Sequence, residues 1–114
     1  MSKKNRILKI YSESNGKEPF TDWLESLKDG KIRSRIYTRL DRLETGSPGD
    51  YRHLGEGIFE LRLHFGPGFR IYYGEDGPVI IILLIGGDKS TQSKDIKKAM
   101  SLWRSFKEAK NEKF

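Results

Sequence analysis

Apolar residues change their spacing several times along the chain, and each spacing predicts a different element. Residues 6–11 predict a strand, and two stripes with helical spacing follow it. The first stripe consists of Phe20, Trp23, Leu24 and Leu27. The second consists of Ile32, Ile36, Leu40 and Leu43. Because the connections are short, we expect the two helices to form an antiparallel hairpin.

From Ile58 the period becomes two, which is typical of a strand with one buried face. A turn at residues 66–68 leads to a second alternating run over 69–73. The run Val79–Ile85 is apolar throughout, which predicts a central strand covered on both faces and ended by the glycines at 86 and 87. A last helix carries the stripe Ile96, Ala99, Met100, Trp103 and Phe106.

The predicted order is therefore β-α-α-β-β-β-α, an α+β fold with an antiparallel sheet. Aromatic residues at core spacing support this assignment; they are Phe20, Trp23, Trp103 and Phe106. We expect a single domain over residues 1–114, with frayed ends at 1–5 and 108–114.

Polar residues occupy the even positions of the two alternating strands, and the pleat places even positions on one face. If the turn at 66–68 joins the flanking residues directly, His64 lies opposite Arg70, and Arg62 lies opposite Tyr72. Arginines on one sheet face clamp a phosphate, and a tyrosine stacks on a base. Lys89 leaves the next strand at the same end and precedes a helix N-terminus, which also attracts anions.

A second interpretation of this face remains open. Antiparallel sheets commonly leave one face in water, and Glu60 with Arg62 then forms an ordinary surface pair. His64 likewise has both a structural and a catalytic interpretation.

Further basic residues suggest contact with RNA. Arg35, Arg39 and Arg42 flank the apolar stripe of the second helix, where they bind RNA or form a solvated face, since acidic residues are interleaved. Arg52 and His53 precede a glycine-rich segment, in a predicted loop beside the polar face, and are candidate RNA contacts.

Composition limits the classes of function. Lys and Arg total 22 against 16 Asp and Glu, a net charge of +6 that suits a polyanionic partner. Cysteine is absent and only two histidines occur, so we expect no disulfide, no metal site and no cofactor. No apolar run approaches the roughly 20 residues of a membrane span, and the basic N-terminus lacks the apolar stretch of a signal peptide. We expect a cytoplasmic protein with no membrane contact.

Three segments together resemble the RelE/ParE toxin superfamily, and within it the HigB-like, phage-derived addiction module killer proteins. They are Leu54-Gly-Glu-Gly-Ile-Phe-Glu-Leu-Arg62, Gly66-Pro-Gly-Phe-Arg70-Ile-Tyr-Tyr73 and Leu83-Leu-Ile-Gly-Gly-Asp-Lys89-Ser-Thr-Gln. The resemblance implies a type II toxin that is neutralised by a cognate antitoxin, often a helix-turn-helix protein of the HigA type. RelE-like members cut mRNA on the ribosome, whereas ParE-like members poison DNA gyrase on the same fold.

The resemblance also implies roles for single residues. Arg62 falls where RelE-type toxins carry a catalytic lysine, Arg70 matches their phosphate-binding arginine, and Lys89 falls near a second such arginine. Two positions depart from the RelE pattern, because Glu60 replaces a second lysine and Ile96 replaces the catalytic tyrosine of the last helix.

The resemblance implies an mRNA endoribonuclease, and we expect it to use no metal. Arg62, Arg70 and Lys89 would clamp the phosphate, because a protonated arginine is a poor base but a good stabiliser of charge. The base and acid would come from His64, Tyr72 or Asp95. A ParE-like gyrase inhibitor and a non-catalytic nucleic-acid-binding module are the alternatives.

Overall fold

The computed structural model describes residues 5–111 and has the predicted α+β architecture with one additional strand. Its elements are β1 (Ile7–Ile10), α1 (Pro19–Ser26), α2 (Gly30–Glu44), β2 (Tyr51–Gly55), β3 (Ile58–Arg62), β4 (Phe69–Asp76), β5 (Ile80–Asp88), a 3-10 turn (Lys89–Thr91) and α3 (Gln92–Asn111). Helix α3 continues through residues 108–111, beyond the apolar stripe that predicts it. Residues 1–4 and 112–114, for which fraying is expected, lie outside the described residues.

The five strands form one sheet in the order β1-β5-β4-β3-β2. Strands β3, β4 and β5 pair antiparallel, as predicted, and the additional strand β2 also pairs antiparallel with β3. Strand β1 departs from the predicted antiparallel sheet, because it lies parallel to β5 at the edge. Within residues 5–111, no helix combines the length and apolar character that a membrane span requires.

Strand β2 corrects the expectation that Arg52 and His53 lie in a loop. The strand pairs with β3 at the edge of the sheet, where Arg52 is opposite Glu60 and His53 is opposite Phe59. Its first three side chains are all exposed, so the strand has no alternation of apolar and polar residues for the sequence to display.

The register between β3 and β4 differs by two residues from the prediction. Arg62 is opposite Arg70, and Glu60 is opposite Tyr72. The cause is the hydrogen bond from the Leu63 N–H to the Phe69 carbonyl, 2.9 Å long, which leaves residues 64–68 outside the ladder. A shift of two residues preserves the side of the sheet that each residue faces, so the even positions still share one face.

Strand β5 does not end at the glycines, and this too corrects the prediction. It continues through Gly86 and Gly87 to Asp88, and Gly87 is opposite Arg70 on β4. A Cβ at Gly86 would lie 2.2 Å from the Trp23 ring, and one at Gly87 would lie 1.8 Å from an Asp95 carboxylate oxygen. The missing side chains therefore let neighbouring groups approach the strand.

Apolar cores cover both faces of the sheet. Helices α1 and α2 contribute to one core together with Ile81 and Leu83, while α3 packs over the other face with Ile82 and Leu84. This confirms the prediction of a central strand covered on both sides. It also bears on the two interpretations of the even face: this face is not left in water, because α3 covers it and Tyr72 there is completely buried.

Candidate functional site

Three cations meet at one end of the sheet. Arg62 and Arg70 are register partners at the ends of β3 and β4, and Lys89 follows β5 immediately. Gly68, at φ +79°, lies between the last two: a Cβ on it would be 3.2 Å from Nη1 of Arg70 and 3.4 Å from Cβ of Lys89. The strand ends thus bring together the three residues that the sequence predicts as a phosphate clamp.

Arg70 is held in place by its surroundings. Its side chain is 10% exposed, Nη1 donates a 2.9 Å hydrogen bond to the Gly68 carbonyl, and Nε lies 3.9 Å from Oε2 of Glu60. Nε itself donates no hydrogen bond among the described residues. Nε is buried and faces Glu60, whereas Nη2 makes no hydrogen bond among the described residues and is not buried. The guanidinium is therefore oriented in advance and keeps one donor group for an anion.

Beneath Arg70 lies Glu60, a completely buried carboxylate. Its Oε2 accepts hydrogen bonds from the Tyr72 hydroxyl at 3.0 Å and from Gln92 Nε2 at 2.8 Å. Its Oε1 lies 3.3 Å from Nη2 of Arg52 on the neighbouring strand. The alternative interpretation, an ordinary surface pair of Glu60 with Arg62, is therefore wrong, because Glu60 is buried and contacts Arg70 and Arg52 instead.

Two of the predicted acid–base residues are sequestered. Burial, followed by the charge of Glu60, raises the pKa of Tyr72 far above the ordinary phenol value. Asp95 is 6% exposed and accepts a hydrogen bond from the Thr91 hydroxyl. Both side chains stabilise the packing between the sheet and α3, and their burial argues against direct contact with a substrate.

His64 lies at the surface and pairs with Asp50, a residue that the sequence interpretation missed. The His64 Nε2 is 2.5 Å from Asp50 Oδ2, and Arg62 Nε is 3.3 Å from the same oxygen. The hydrogen bond from His64, and then the contacts of Arg62, lower the pKa of Asp50. No sequence signal pointed to this residue, since Asp50 precedes a strand that itself has no visible pattern.

Arg39, a predicted RNA contact, is engaged within the protein. Its guanidinium donates to the backbone carbonyls of Pro48, Asp50 and Arg62 at 2.7–3.2 Å. These bonds fix the segment that carries Asp50 against the end of β3. Arg39 therefore positions the Asp50–His64 pair instead of presenting free donors.

The remaining predicted RNA contacts lie on different surfaces. Arg52 extends over the Glu60 side of the sheet, whereas His53 packs its ring against Phe59 on the opposite side, 4.7 Å between centroids. Arg35 on α2 places its guanidinium carbon 3.8 Å from the centroid of the Phe65 ring. Arg52 thus shares the Glu60 carboxylate with Arg70.

Within residues 5–111, His, Asp and Glu side chains do not gather in groups of three or more that would hold a metal ion. The candidate site presents the cations Arg62, Arg70 and Lys89, and beside them the exposed imidazole of His64, which shares Asp50 with Arg62.

Comparison with known proteins agrees with this fold. Residues 22–104 match the family model described as phage-derived protein Gp49-like (DUF891). An uncharacterised protein of Haemophilus influenzae strain Rd is 47% identical over 83 residues, which cover 73% of this chain and 84% of the relative. The matched region contains α2, the strands β2 to β5 and most of α3. The chain therefore belongs to the Gp49-like family of phage-derived proteins, within the RelE/ParE-like toxin superfamily.

Proposed function

We propose that this protein is a HigB-like toxin of a type II toxin–antitoxin pair and cleaves mRNA on the ribosome. The observation that supports the proposal best is the meeting of Arg62, Arg70 and Lys89 at one end of the sheet. Three cations at one end of the sheet suit an RNA phosphodiester, and Arg70 is already oriented by Gly68 and Glu60.

In the proposed reaction the ribose 2′-hydroxyl attacks the adjacent phosphorus and the bond to the 5′-oxygen breaks. Negative charge grows on the phosphate oxygens as the attacking bond forms. Arg62, Arg70 and Lys89 stabilise that charge, and removing one such donor typically raises the barrier by about 2.7–4 kcal/mol. Because arginine stays protonated, these side chains serve the phosphate and not the proton transfers.

Proton transfer falls to His64 in this proposal: the imidazole takes the proton of the attacking 2′-hydroxyl and returns a proton to the leaving 5′-oxygen, so that a 2′,3′-cyclic phosphate and a 5′-hydroxyl result. Its side chain is 71% exposed, so it can reach a bound substrate, whereas Tyr72 and Asp95 are buried. Asp50 orients the imidazole through the contact at 2.5 Å, as carboxylates do for catalytic histidines elsewhere. General acid–base catalysis by one such group contributes roughly 10²–10⁴-fold to the rate.

The proposed activity implies two partners, the ribosome with its mRNA and an antitoxin, and a cytoplasmic location. mRNA on the ribosome is the substrate, which places the protein in the cytoplasm. A cognate helix-turn-helix antitoxin of the HigA type would neutralise it, and the net charge of +6 favours an acidic antitoxin segment.

The test is induction of the gene without its antitoxin, followed by primer extension on host mRNA and cleavage of mRNA on purified ribosomes. We expect growth arrest and ribosome-dependent cuts, and Arg70→Ala should abolish both. Arg104→Ala is the matched control, since Arg104 is an exposed arginine on α3 that pairs with Glu56, and it should remain active. A DNA-damage response with intact mRNA would identify a gyrase inhibitor instead, and unaffected growth would identify a non-catalytic binding module.

A further inference from the structure

A groove of about 350 Å³ lies between α2 and the segment that follows β3. Its lining residues are Arg35, Thr38, Arg39, Arg42, His64 and Phe65. No carboxylate is among them, whereas each of three other cavities in the described part of the chain has at least one acidic residue in its wall. The lining therefore contains three arginines and no acidic side chain, in a protein that carries 16 acidic residues.

Two arginines of the groove have donors available for a ligand. Arg35 and Arg42 are exposed, and within residues 5–111 neither guanidinium makes a hydrogen bond or an ion pair. Phe65 holds the Arg35 guanidinium by a cation–π contact at 3.8 Å, which orients the group and leaves its N–H edges open. Arg39, in contrast, is occupied by backbone carbonyls.

The positive charges in the groove repel one another. The pKa of Arg39 is lowered by burial and then by the nearby charge of Arg42, and Asp50 opposes this shift only in part. Binding of an anion between the arginines would relieve this repulsion.

We propose that this groove binds the sugar-phosphate backbone of single-stranded RNA beside the site of cleavage. This inference rests on the proposed function and extends it with a second RNA-binding surface. His64 belongs both to the groove and, through Asp50, to the cluster that contains Arg62. The groove therefore adjoins the end of the sheet that carries Arg62, with the Asp50 carboxylate held between His64 and Arg62 where the two meet. A polymer with one charge per nucleotide matches two cationic surfaces that adjoin in this way.

The test measures binding and not cleavage. A 2′-O-methyl RNA oligonucleotide, which has no free 2′-hydroxyl to attack, is titrated by fluorescence anisotropy at several salt concentrations. The variant is Arg35→Gln with Arg42→Gln. The control is Lys97→Gln with Lys98→Gln, which removes the same charge from exposed positions on α3, the helix on the opposite face of the sheet. Circular dichroism verifies that both variants are folded.

We expect the groove variant to bind the RNA about tenfold more weakly for each guanidinium removed. The slope of log K against log salt should fall by about 0.7 for each phosphate that the variant no longer neutralises. The lysine control should stay close to wild type. Equally weakened binding in both variants would overturn the inference, because it would reflect net charge alone.

An acidic peptide is the competing occupant. Tighter binding of a glutamate-rich peptide than of the RNA, abolished in the groove variant, would also overturn the inference. The proposed function can fail separately. If the protein cuts no mRNA but binds RNA through Arg35 and Arg42, the groove proposal stands and the proposed nuclease activity is wrong. If the protein cuts mRNA but the groove variant binds RNA as tightly as the control, the proposed function stands and the groove proposal is wrong.

Discussion

The hydroxyl of Tyr72 donates a 3.0 Å hydrogen bond to Glu60, and both side chains are completely buried beneath α3. This pair joins β4 to β3 across register partners and lies directly below Arg70. The alternating pattern places Glu60 and Tyr72 on a polar face that would contact the substrate. In the structure both side chains are buried, and they hold Arg70 in place from within the protein.

Tyr72→Phe distinguishes a role of Tyr72 in stability from a role in catalysis. The substitution leaves Glu60 without one of its hydrogen-bond donors, and we expect it to lower the free energy of unfolding by about 1–3 kcal/mol. Cleavage by the folded variant should stay within a few fold of wild type, because the hydroxyl does not reach the surface. Urea denaturation and ribosomal mRNA cleavage measure the two effects. A folded variant with more than a hundredfold loss of cleavage would return Tyr72 to the catalytic set.

Asp50 and His64 should act as a unit. We expect His64→Gln to slow cleavage by about 10²-fold or more, since it removes the exposed proton-transfer group. Asp50→Asn should cause a smaller loss, because the imidazole remains but its orientation is weakened. In the double variant the two effects should not multiply, and the rate should equal that of His64→Gln alone. Single-turnover cleavage rates measure this coupling.

The control for this cycle is Asp41→Asn, an exposed carboxylate on α2 that makes no ion pair among the described residues. It should leave the rate unchanged. Multiplicative losses for Asp50→Asn and His64→Gln would mean that the two residues act separately and that their contact is incidental to the reaction.

Sequence patterns predicted the elements whose burial is periodic. The stripe from Ile32 to Leu43 lies in α2, and the apolar run Val79–Ile85 contains the doubly covered part of β5, although Val79 itself precedes the strand and is exposed. Strand β2 was not predicted because its first three side chains are exposed at the edge of the sheet. There the strand is defined by its pairing with β3 and not by burial. Periodicity reports burial, so an element without a buried face leaves no pattern.

In the candidate site, too, the sequence predicted what depends on periodicity and missed what depends on contacts between distant segments. Arg62 and Arg70 share a face under any even shift of register, so alternation was enough to bring them together. The burial of Glu60 depends on α3, which covers that face from a distant part of the chain. The contact of Asp50 with His64 depends on the path of the segment that Arg39 holds. Neither relationship follows from the spacing of residues along a single element.

Asp88 gives the fold a dependence on pH. Hydrogen bonds from Ser90, opposed in part by desolvation, lower the pKa of this carboxyl, which caps the turn before α3. A carboxyl with a lowered folded-state pKa stabilises the fold above its unfolded value, about 3.9, and this stabilisation is lost as pH falls through the folded-state pKa. Asp88→Asn keeps an acceptor oxygen but does not titrate.

We therefore expect wild type to be more stable than Asp88→Asn at about pH 7, with the difference shrinking below about pH 4. Urea midpoints measured across this range test the prediction. A constant difference at every pH would show that the charge of Asp88 contributes nothing and that its oxygen atoms act only as neutral acceptors.

Gly87 allows β5 to pass beneath α3, and a single methyl group at this position should disturb the contact. A Cβ there would lie 1.8 Å from an Asp95 carboxylate oxygen and 2.9 Å from the Thr91 hydroxyl. Because Asp95 is buried and bonded to Thr91, it has little room to move. We expect Gly87→Ala to cost about 1–3 kcal/mol of unfolding free energy, as for overpacked interiors. Urea denaturation measures the loss.

Gly30→Ala is the control, since a Cβ at the start of α2 meets nothing closer than 3.7 Å and alanine favours the helix. If both variants unfold at the same urea concentration, the close packing of Asp95 against β5 does not limit this strand.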